Sequence, residues 1–283
     1  MIIAKTIAEV RAARWANPKL SWGLVPTMGY LHEGHLSLAR RAHNENERVA
    51  ATIFVNPTQF APNEDLSTYP RALARDFALL KQESVDLVFV PADGEMYPPN
   101  FQTEIHLAHV TKPLEGSSRP THFLGVATVV AKLFNIVQPT RAYFGQKDAQ
   151  QAAVLKQMVQ DLNFNLEMIV CPIVREPDGL ALSSRNRYLN SEQRQAATVL
   201  NQALRTAETA VHEGTRSGSQ LRQLMTDIIT AESLARLDYV SAADPLTLAE
   251  LDEIENSVLL SMAVFFGTTR LIDNILIKDV LLS

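Results

Sequence analysis

The chain has 283 residues, 46% hydrophobic and 20% charged, the composition of a globular protein with room for one large domain or two ordinary ones. A formal charge of −5 and a pI near 5.8 leave no basic footprint for nucleic acid, and the single cysteine, Cys171, excludes an intrachain disulfide or a cysteine-rich zinc site. No signal peptide opens the chain and no apolar run reaches membrane-spanning length, so a cytoplasmic protein with no membrane partner is expected.

Thr6 and Glu9 have capping-box spacing, and Ile7, Val10, Ala13 and Arg14 continue a helix up to Asn17-Pro18. Residues 22–25 predict a short buried strand. Leu36, Leu38, Ala39 and Ala42 predict one face of a helix, and Val25-Pro26-Thr27-Met28-Gly29-Tyr30-Leu31-His32-Glu33-Gly34-His35 joins the two. Residues 49–55 are continuously apolar, the mark of a strand buried on both faces, and 56–63 break into a loop. A helix over 71–83 carries Leu73, Phe77 and Leu80 at helical spacing, and a buried strand over 86–90 ends at Pro91. Residues 94–121 are rich in Pro, Gly and Ser, with a strand predicted at 103–110. A helix at 126–137, a strand tip at 142–144, a helix at 148–162 and a strand at 166–174 follow. In the 148–162 helix Val154, Leu155, Met158 and Val159 point inward.

Alternating strands and helices predict an α/β fold with a doubly wound parallel sheet. After Val174 the pattern changes. A cap at Asn190-Ser191-Glu192 starts a long helix to about 213, a second helix covers 220–231, and strands follow at 238–242, 258–266 and 269–275. Helices followed by clustered strands predict a smaller C-terminal α+β domain. The division is 1–174 and 175–283, with the boundary region at 174–184.

Three junctions carry candidate chemistry. His32 and His35 stand where a strand hands over to a helix, the place where α/β sheets bind ligands and where helix amides receive anions. The pair reads as a helix cap with a surface histidine, as a two-histidine metal pair, or as donors to phosphate. Gly29 suits a positive φ, and Gly34 allows close approach to the helix start. His106 and His109 share the spacing but fall in the predicted strand, on opposite faces, and read as structural. The second junction is Gly145-Gln146-Lys147-Asp148-Ala149-Gln150-Gln151. Lys147 is either a solvated lysine or a phosphate-neutralising one, Asp148 reads first as a helix cap, and Gln151 can point its amide at a polar substrate. The third is the run 174–186, where Pro177-Asp178-Gly179 signals a turn. Ser183-Ser184-Arg185 is either plain linker or a lid whose arginine meets phosphate.

Six stretches in order resemble the pantoate–β-alanine ligase (pantothenate synthetase) family. They are Pro26 to His35, Phe54-Val55-Asn56-Pro57-Thr58-Gln59-Phe60, Tyr69-Pro70-Arg71, Arg119-Pro120-Thr121-His122-Phe123-Leu124-Gly125-Val126, Gly145-Gln146-Lys147-Asp148 and Ser183-Ser184-Arg185-Asn186-Arg187-Tyr188-Leu189. The family lies within the His-x-Gly-His nucleotidylyltransferases, so a Rossmann-like N-terminal domain is implied. The match is densest over 22–190. Thr121 departs from it, standing where the family pattern has glycine.

The resemblance implies ATP and Mg²⁺ as cofactors and pantoate and β-alanine as substrates. It assigns Met28, Gly29, Tyr30, Leu31, His32, Glu33, Gly34 and His35 to ATP, with His35 as proton donor and His32 and Lys147 also catalytic. Gly145, Gln146, Lys147, Asp148, Val174, Leu182, Ser183, Ser184 and Arg185 also fall to ATP. Gln59 falls to pantoate and β-alanine, Gln151 to pantoate and Asp76 to Mg²⁺, and a homodimer is implied. A carboxylate needs activation before an amine can displace its oxygen, and joining it to ATP brings two anions together. Cations and donors are therefore required, and no nucleophilic side chain is. Two rivals remain at this level: a nucleotidylyltransferase acting on a phosphate, and a nucleotide-binding regulatory module without turnover.

Overall fold

The structure is a computed structural model that describes residues 1–62 and 64–280; Asn63, in the predicted loop 56–63, lies outside the described residues. The chain divides into two compact units, residues 1–145 with 154–172 and residues 146–153 with 173–283.

The first unit holds β1 (Ile2–Ala4), α1 (Ile7–Trp15), β2 (Trp22–Thr27), α2 (Glu33–Glu45), β3 (Arg48–Ile53), α3 (Leu73–Gln82) and β4 (Leu87–Phe89). Two single-turn helices, α4 (Asp93–Met96) and α5 (Glu115–Ser118), precede α6 (His122–Val137) and β5 (Arg141–Gly145). Then come α7 (Ala149–Asp161), which belongs to this unit from Val154 onward, and β6 (Glu167–Cys171). The six strands form one parallel sheet in the order β1-β4-β3-β2-β5-β6. From β2 the chain builds outward through β3 and β4, then returns to place β5 on the other flank of β2. The strand order reverses between β2 and β5, so their carboxyl ends form the switch point where such sheets bind ligands.

Local sequence accounts for much of this. Thr6 Oγ1 accepts the Glu9 N–H at 3.2 Å while Glu9 accepts the Thr6 N–H at 3.0 Å, closing the predicted capping box of α1. Val49 to Ile53 are all buried, as a strand covered on both faces requires. On α2 the buried residues are Leu36, Leu38, Ala39 and Ala42, the predicted stripe. The sheet packs Val25, Val49, Ala51 and Val88 with Leu36, Ala39 and Leu80 into one core.

Some expectations for this unit change. Residues 103–110 form no strand: Leu107 and Val110 are buried while His106 and His109 are exposed, and Ile105 N–H goes to Thr128 Oγ1 of α6 at 3.0 Å. Their apolar residues answer one-sided burial rather than ladder pairing. Leu73, at helical spacing with Phe77 and Leu80, is the first residue of α3 and 43% exposed. The helix predicted over 126–137 begins at His122, four residues earlier. Thr121 takes φ −99° and ψ −7°, ordinary backbone that does not call for glycine.

The second unit contains α8 (Ser191–Ala196), α9 (Val199–His212), α10 (Gly218–Thr230), β7 (Ala235–Ala243), β8 (Val258–Phe266) and β9 (Thr269–Ile277). The strands form an antiparallel sheet in the order β7-β8-β9. Ala203, Leu204, Leu221 and Met225 pack on Leu260, Met262 and Val264. The one long helix expected over 190–213 is two, α8 and α9, since the chain breaks step at Ala197 and Thr198.

Gly125, in the first turn of α6, touches the backbone of Thr58 and Gln59, and a Cβ there would overlap the Thr58 carbonyl. Gly125→Ala is expected to cost roughly 1–3 kcal/mol of stability by overpacking. Urea unfolding of the variant against the wild type measures this, and an equal midpoint would show that the turn yields freely.

Candidate active site

The junction after β2 is built around a carboxylate. Gly29 has φ +84° and Tyr30 φ +49°, two successive left-handed residues. Asp76 of α3, fully buried, receives the Tyr30 N–H on Oδ2 at 2.8 Å and the Leu31 N–H on Oδ1 at 2.9 Å. A Cβ on Gly29 would meet Ile53 Cγ2 at 2.9 Å, so both its φ and its surroundings call for glycine. The Leu31 side chain is wholly buried and supports the turn from below.

Asp76 is the residue that the resemblance places at Mg²⁺. With both oxygens bonded to the turn's backbone, it fits the role of brace rather than ion ligand. Among the described residues no group of three His, Cys, Asp or Glu side chains converges to hold a metal. The side chains present therefore do not fit a dedicated Mg²⁺ site.

The turn delivers the two histidines to the start of α2. Their rings lie 4.1 Å apart, centroid to centroid. His35 Nδ1 accepts the His32 N–H at 3.3 Å, so the neutral His35 ring carries its hydrogen on Nε2. A Cβ on Gly34 would come within 2.9 Å of the His32 ring, so this glycine makes room for the histidine itself. Glu33 turns away onto the exposed face of α2 and pairs with Arg40 at 2.8 Å.

Gln59 sits in a 3₁₀ turn, Pro57–Gln59, after β3. Its Nε2 donates to Met28 Sδ at 3.2 Å, which joins two predicted site residues directly. Asn56, buried and absent from the expected set, orients it: Asn56 Nδ2 donates to Gln59 Oε1 at 3.1 Å and to the Gly125 carbonyl at 3.2 Å. Asn56 Oδ1 in turn accepts from Tyr97 Oη at 2.7 Å and Thr58 Oγ1 at 3.0 Å. With Oε1 engaged, the Gln59 amide is fixed as a donor. A cavity of about 660 Å³ beside the turn is lined by Met28, Gly29, Phe60, Glu64, Arg71 and Asp76 among others.

The Gln59 carbonyl is clamped as well. His122 Nδ1 lies 2.9 Å from it and Arg119 Nη2 donates to it at 3.3 Å, while Arg119 forms a two-pronged ion pair with Glu64. Burial, and then the Arg119 charge, push the His122 pKa down to about 4. Asn56, Arg119 and His122 lie inside motifs the sequence displays, but nothing in spacing alone marks them as supports of Gln59.

In the second unit, Gln146–Asp148 forms a 3₁₀ turn leading into α7. Lys147 is largely covered, and its Nζ lies 3.8 Å from Asp148 Oδ1, a weak pairing with a half-exposed carboxylate. The Gln146 side chain donates to Asn274 Oδ1 at 3.0 Å. Gln151 is half-buried in the first turn of α7. Residues 174–182 form a tight hairpin: Leu182 N–H meets the Val174 carbonyl at 3.0 Å, and Gly179 turns with φ +92°. Ser183 then caps a 3₁₀ turn, Ser184–Tyr188, accepting the Arg185 N–H at 3.3 Å. Half-buried Ser184 and Arg185 follow directly from this hairpin.

His122 predicts a pH dependence. Its folded pKa is depressed, so between pH 6.5 and about 4 the unfolded chain binds a proton that the folded chain refuses. Stability is thus lost as pH falls through that window. Urea midpoints at pH 7 and pH 5 should fall further for the wild type than for His122→Gln; equal falls would remove the histidine from the account.

The model of the pantoate-beta-alanine ligase family matches residues 2–276. A protein from Roseiflexus sp. (strain RS-1) named pantothenate synthetase is 60% identical over 278 residues, covering 98% of this chain and 100% of its own. The crystal structure of pantothenate synthetase from Thermus thermophilus has a TM-score of 0.93 at 46% identity and covers 99% of each chain. That of a pantoate-beta-alanine ligase from Francisella tularensis, complexed with beta-gamma ATP and beta-alanine, has a TM-score of 0.80 at 38% identity, covering 98% of this chain and 97% of its own. Likeness of this extent, in sequence and in fold, over both units has one meaning: the chain belongs to the pantoate–β-alanine ligase family.

Proposed function

We propose that the protein condenses (R)-pantoate with β-alanine at the expense of ATP, releasing pantothenate, AMP and pyrophosphate, a step toward coenzyme A. The pantoate carboxylate attacks the α-phosphorus, and the bond to pyrophosphate breaks. The β-alanine amine then attacks the acyl carbon of pantoyl adenylate, loses a proton, and AMP departs. Adenylation makes a competent leaving group out of what would otherwise be oxide.

One observation carries this reading. Beyond the carboxyl ends of β2 and β3, His35 and Gln59 are both fixed as hydrogen-bond donors, the first by the His32 amide and the second by Asn56. In this reading His35 Nε2–H meets phosphate oxygen and acts as proton donor, with His32 beside it. Gln59 and Gln151 hold pantoate, and Gln59 also places β-alanine. Met28 to His35, Gly145 to Asp148, the Val174 backbone and Leu182 to Arg185 bind ATP, with Lys147 and Arg185 meeting its charge. Residues 1–174 act as the ATP- and pantoate-binding domain, and the first loop of 175–283 closes over the nucleotide. The ATP and beta-alanine bound by the Francisella tularensis relative support this ligand set. Magnesium enters with the phosphates of ATP, because the side chains do not fit a dedicated site. A cytoplasmic homodimer is part of the proposal, resting on the family resemblance. No partnership with nucleic acid or membrane is included: the charge is −5, and among the described residues no helix is long and apolar enough to cross a membrane.

Pantoate-dependent exchange of pyrophosphate into ATP tests the reading. Exchange should occur with pantoate alone, and AMP should accumulate only after β-alanine is added; no exchange with pantoate and Mg²⁺ would sink it. His35→Ala should keep the thermal midpoint near wild type while exchange falls roughly 10²–10³-fold, the usual effect of losing one transition-state donor.

Asp76→Asn tests the brace. One backbone N–H then faces an amide N–H₂, which should cost roughly 1–3 kcal/mol in urea unfolding. The Mg²⁺ concentration for half-maximal exchange should stay within about twofold; a large rise in that requirement with unchanged stability would return Asp76 to the metal.

A further inference from the structure

We infer that Asp273 and Asn274, neighbours on β9, are positioning residues for the nucleotide step. Asn274 sets the backbone of Lys147, and Asp273 sets the hairpin that leads into Ser183, Ser184 and Arg185. The inference rests on the proposed role of those residues toward ATP.

Both residues are 2% exposed and, as neighbours on one strand, they turn their side chains to opposite faces of the sheet. A buried carboxylate and a buried amide on a strand are costly unless every polar atom is matched. Here they are matched, and by few partners. Asn274 Nδ2 donates to the carbonyls of Gln146 at 3.0 Å and Lys147 at 2.9 Å, and its Oδ1 accepts from Gln146 Nε2. Both hydrogens and the oxygen of one amide are thus given to the 3₁₀ turn that presents Lys147. Lys147 is the residue of that turn with a cation to place, and its own ion pair is too weak to place it.

Asp273 does the equivalent for the second segment. Its Oδ2 accepts from Arg175 Nη1 at 2.6 Å and its Oδ1 from Arg175 Nη2 at 2.9 Å, the bidentate geometry that fixes a guanidinium in one plane. Arg175 Nη1 donates onward to the Gly179 carbonyl at 3.0 Å, tying both ends of the turn in the 174–182 hairpin. Arg175 Nη2 also reaches the Asn274 carbonyl at 3.3 Å, so the two arrangements meet. Two segments separated in sequence are therefore referred to adjacent residues of one strand, about 3.3 Å apart along it. Their relative placement is set by a sheet rather than by either loop. Phosphate chemistry rewards this, because a misplacement of about 1 Å can cost roughly a hundredfold in rate.

The test is a thermodynamic cycle on ATP binding, read by isothermal titration, together with steady-state exchange. Asn274→Ala should weaken ATP binding tenfold or more while the KM for pantoate stays within twofold. Adding Asn274→Ala to Lys147→Ala should change ATP affinity less than twofold, because the amide acts through the lysine. Equal losses for ATP and pantoate, or multiplicative effects in the double variant, would overturn the inference. If Asn274→Ala does not fold, Asn274→Ser is read the same way, and Asp273→Asn should likewise weaken ATP binding without moving the pantoate KM. A wild type that binds ATP but shows no pantoate-dependent exchange would refute the proposed reaction alone, leaving the cycle to decide the positioning roles. A wild type that binds no ATP would refute both.

Discussion

A buried carboxylate holds the first junction in a shape its own backbone resists. Tyr30 at φ +49° costs roughly 1–2 kcal/mol against an ordinary conformation. Two hydrogen bonds from backbone N–H groups to Asp76 supply roughly 1.5–3 kcal/mol each, which outweighs that strain. The carboxylate needs the amides as much as they need it, since an unpaired buried charge is far more costly than a strained residue. Strain and burial cancel only while both are present. The start of α2, and with it His32 and His35, takes its position from this mutual dependence. α3 therefore belongs to the site through the backbone it holds.

The same logic, in which one residue is held in place by others around it, recurs around Gln59. A free glutamine amide rotates, and its oxygen and nitrogen exchange places at little cost. Asn56 removes that freedom by binding the oxygen, and Asn56 is itself saturated by Tyr97, Thr58 and the Gly125 carbonyl. The glycine at 125 lets α6 approach the 3₁₀ turn, and His122 and Arg119 hold the turn's carbonyl from the start of that helix. Rotamer freedom is lost on folding rather than on binding, which is what preorganisation means for a donor that must meet a small polar substrate.

What could be read from the residues was whatever local rules decide. Capping boxes, the apolar stripe of α2, the two-sided burial of β3 and the bounds of β8 all follow from spacing within one element. The strand-to-helix junctions and their glycines were visible for the same reason. Features set by distant partners were not. Residues 103–110 bury Leu107 and Val110 on one side without pairing in a sheet, and a sequence pattern cannot tell that from a strand. The step between α8 and α9 has no proline or glycine to announce it. Asp76 looks like any acid on a helix, and Asn274 like any polar residue of a strand, until the backbone groups they serve are brought to them. Roles carried over by resemblance name the residues that meet ligands more readily than those that hold them, and the two backbone bonds of Asp76 are visible only in the structure.

The charge around Gln59 bears on which acid the site accepts. Arg119 is neutralised by Glu64, and His122 is held neutral by burial and by Arg119. The groups bonded to the Gln59 carbonyl, with Glu64 paired to one of them, therefore carry about no net charge, and the donor they support is an uncharged amide. A second phosphate brought to this place would find its charge uncompensated, a penalty that grows in a site screened from water. A hydroxy acid is different: its hydroxyl suits a neutral amide, and its one negative charge is consumed when the carboxylate attacks the α-phosphorus. In the proposed reading, an uncharged donor at Gln59 suits a hydroxy acid better than a second phosphate.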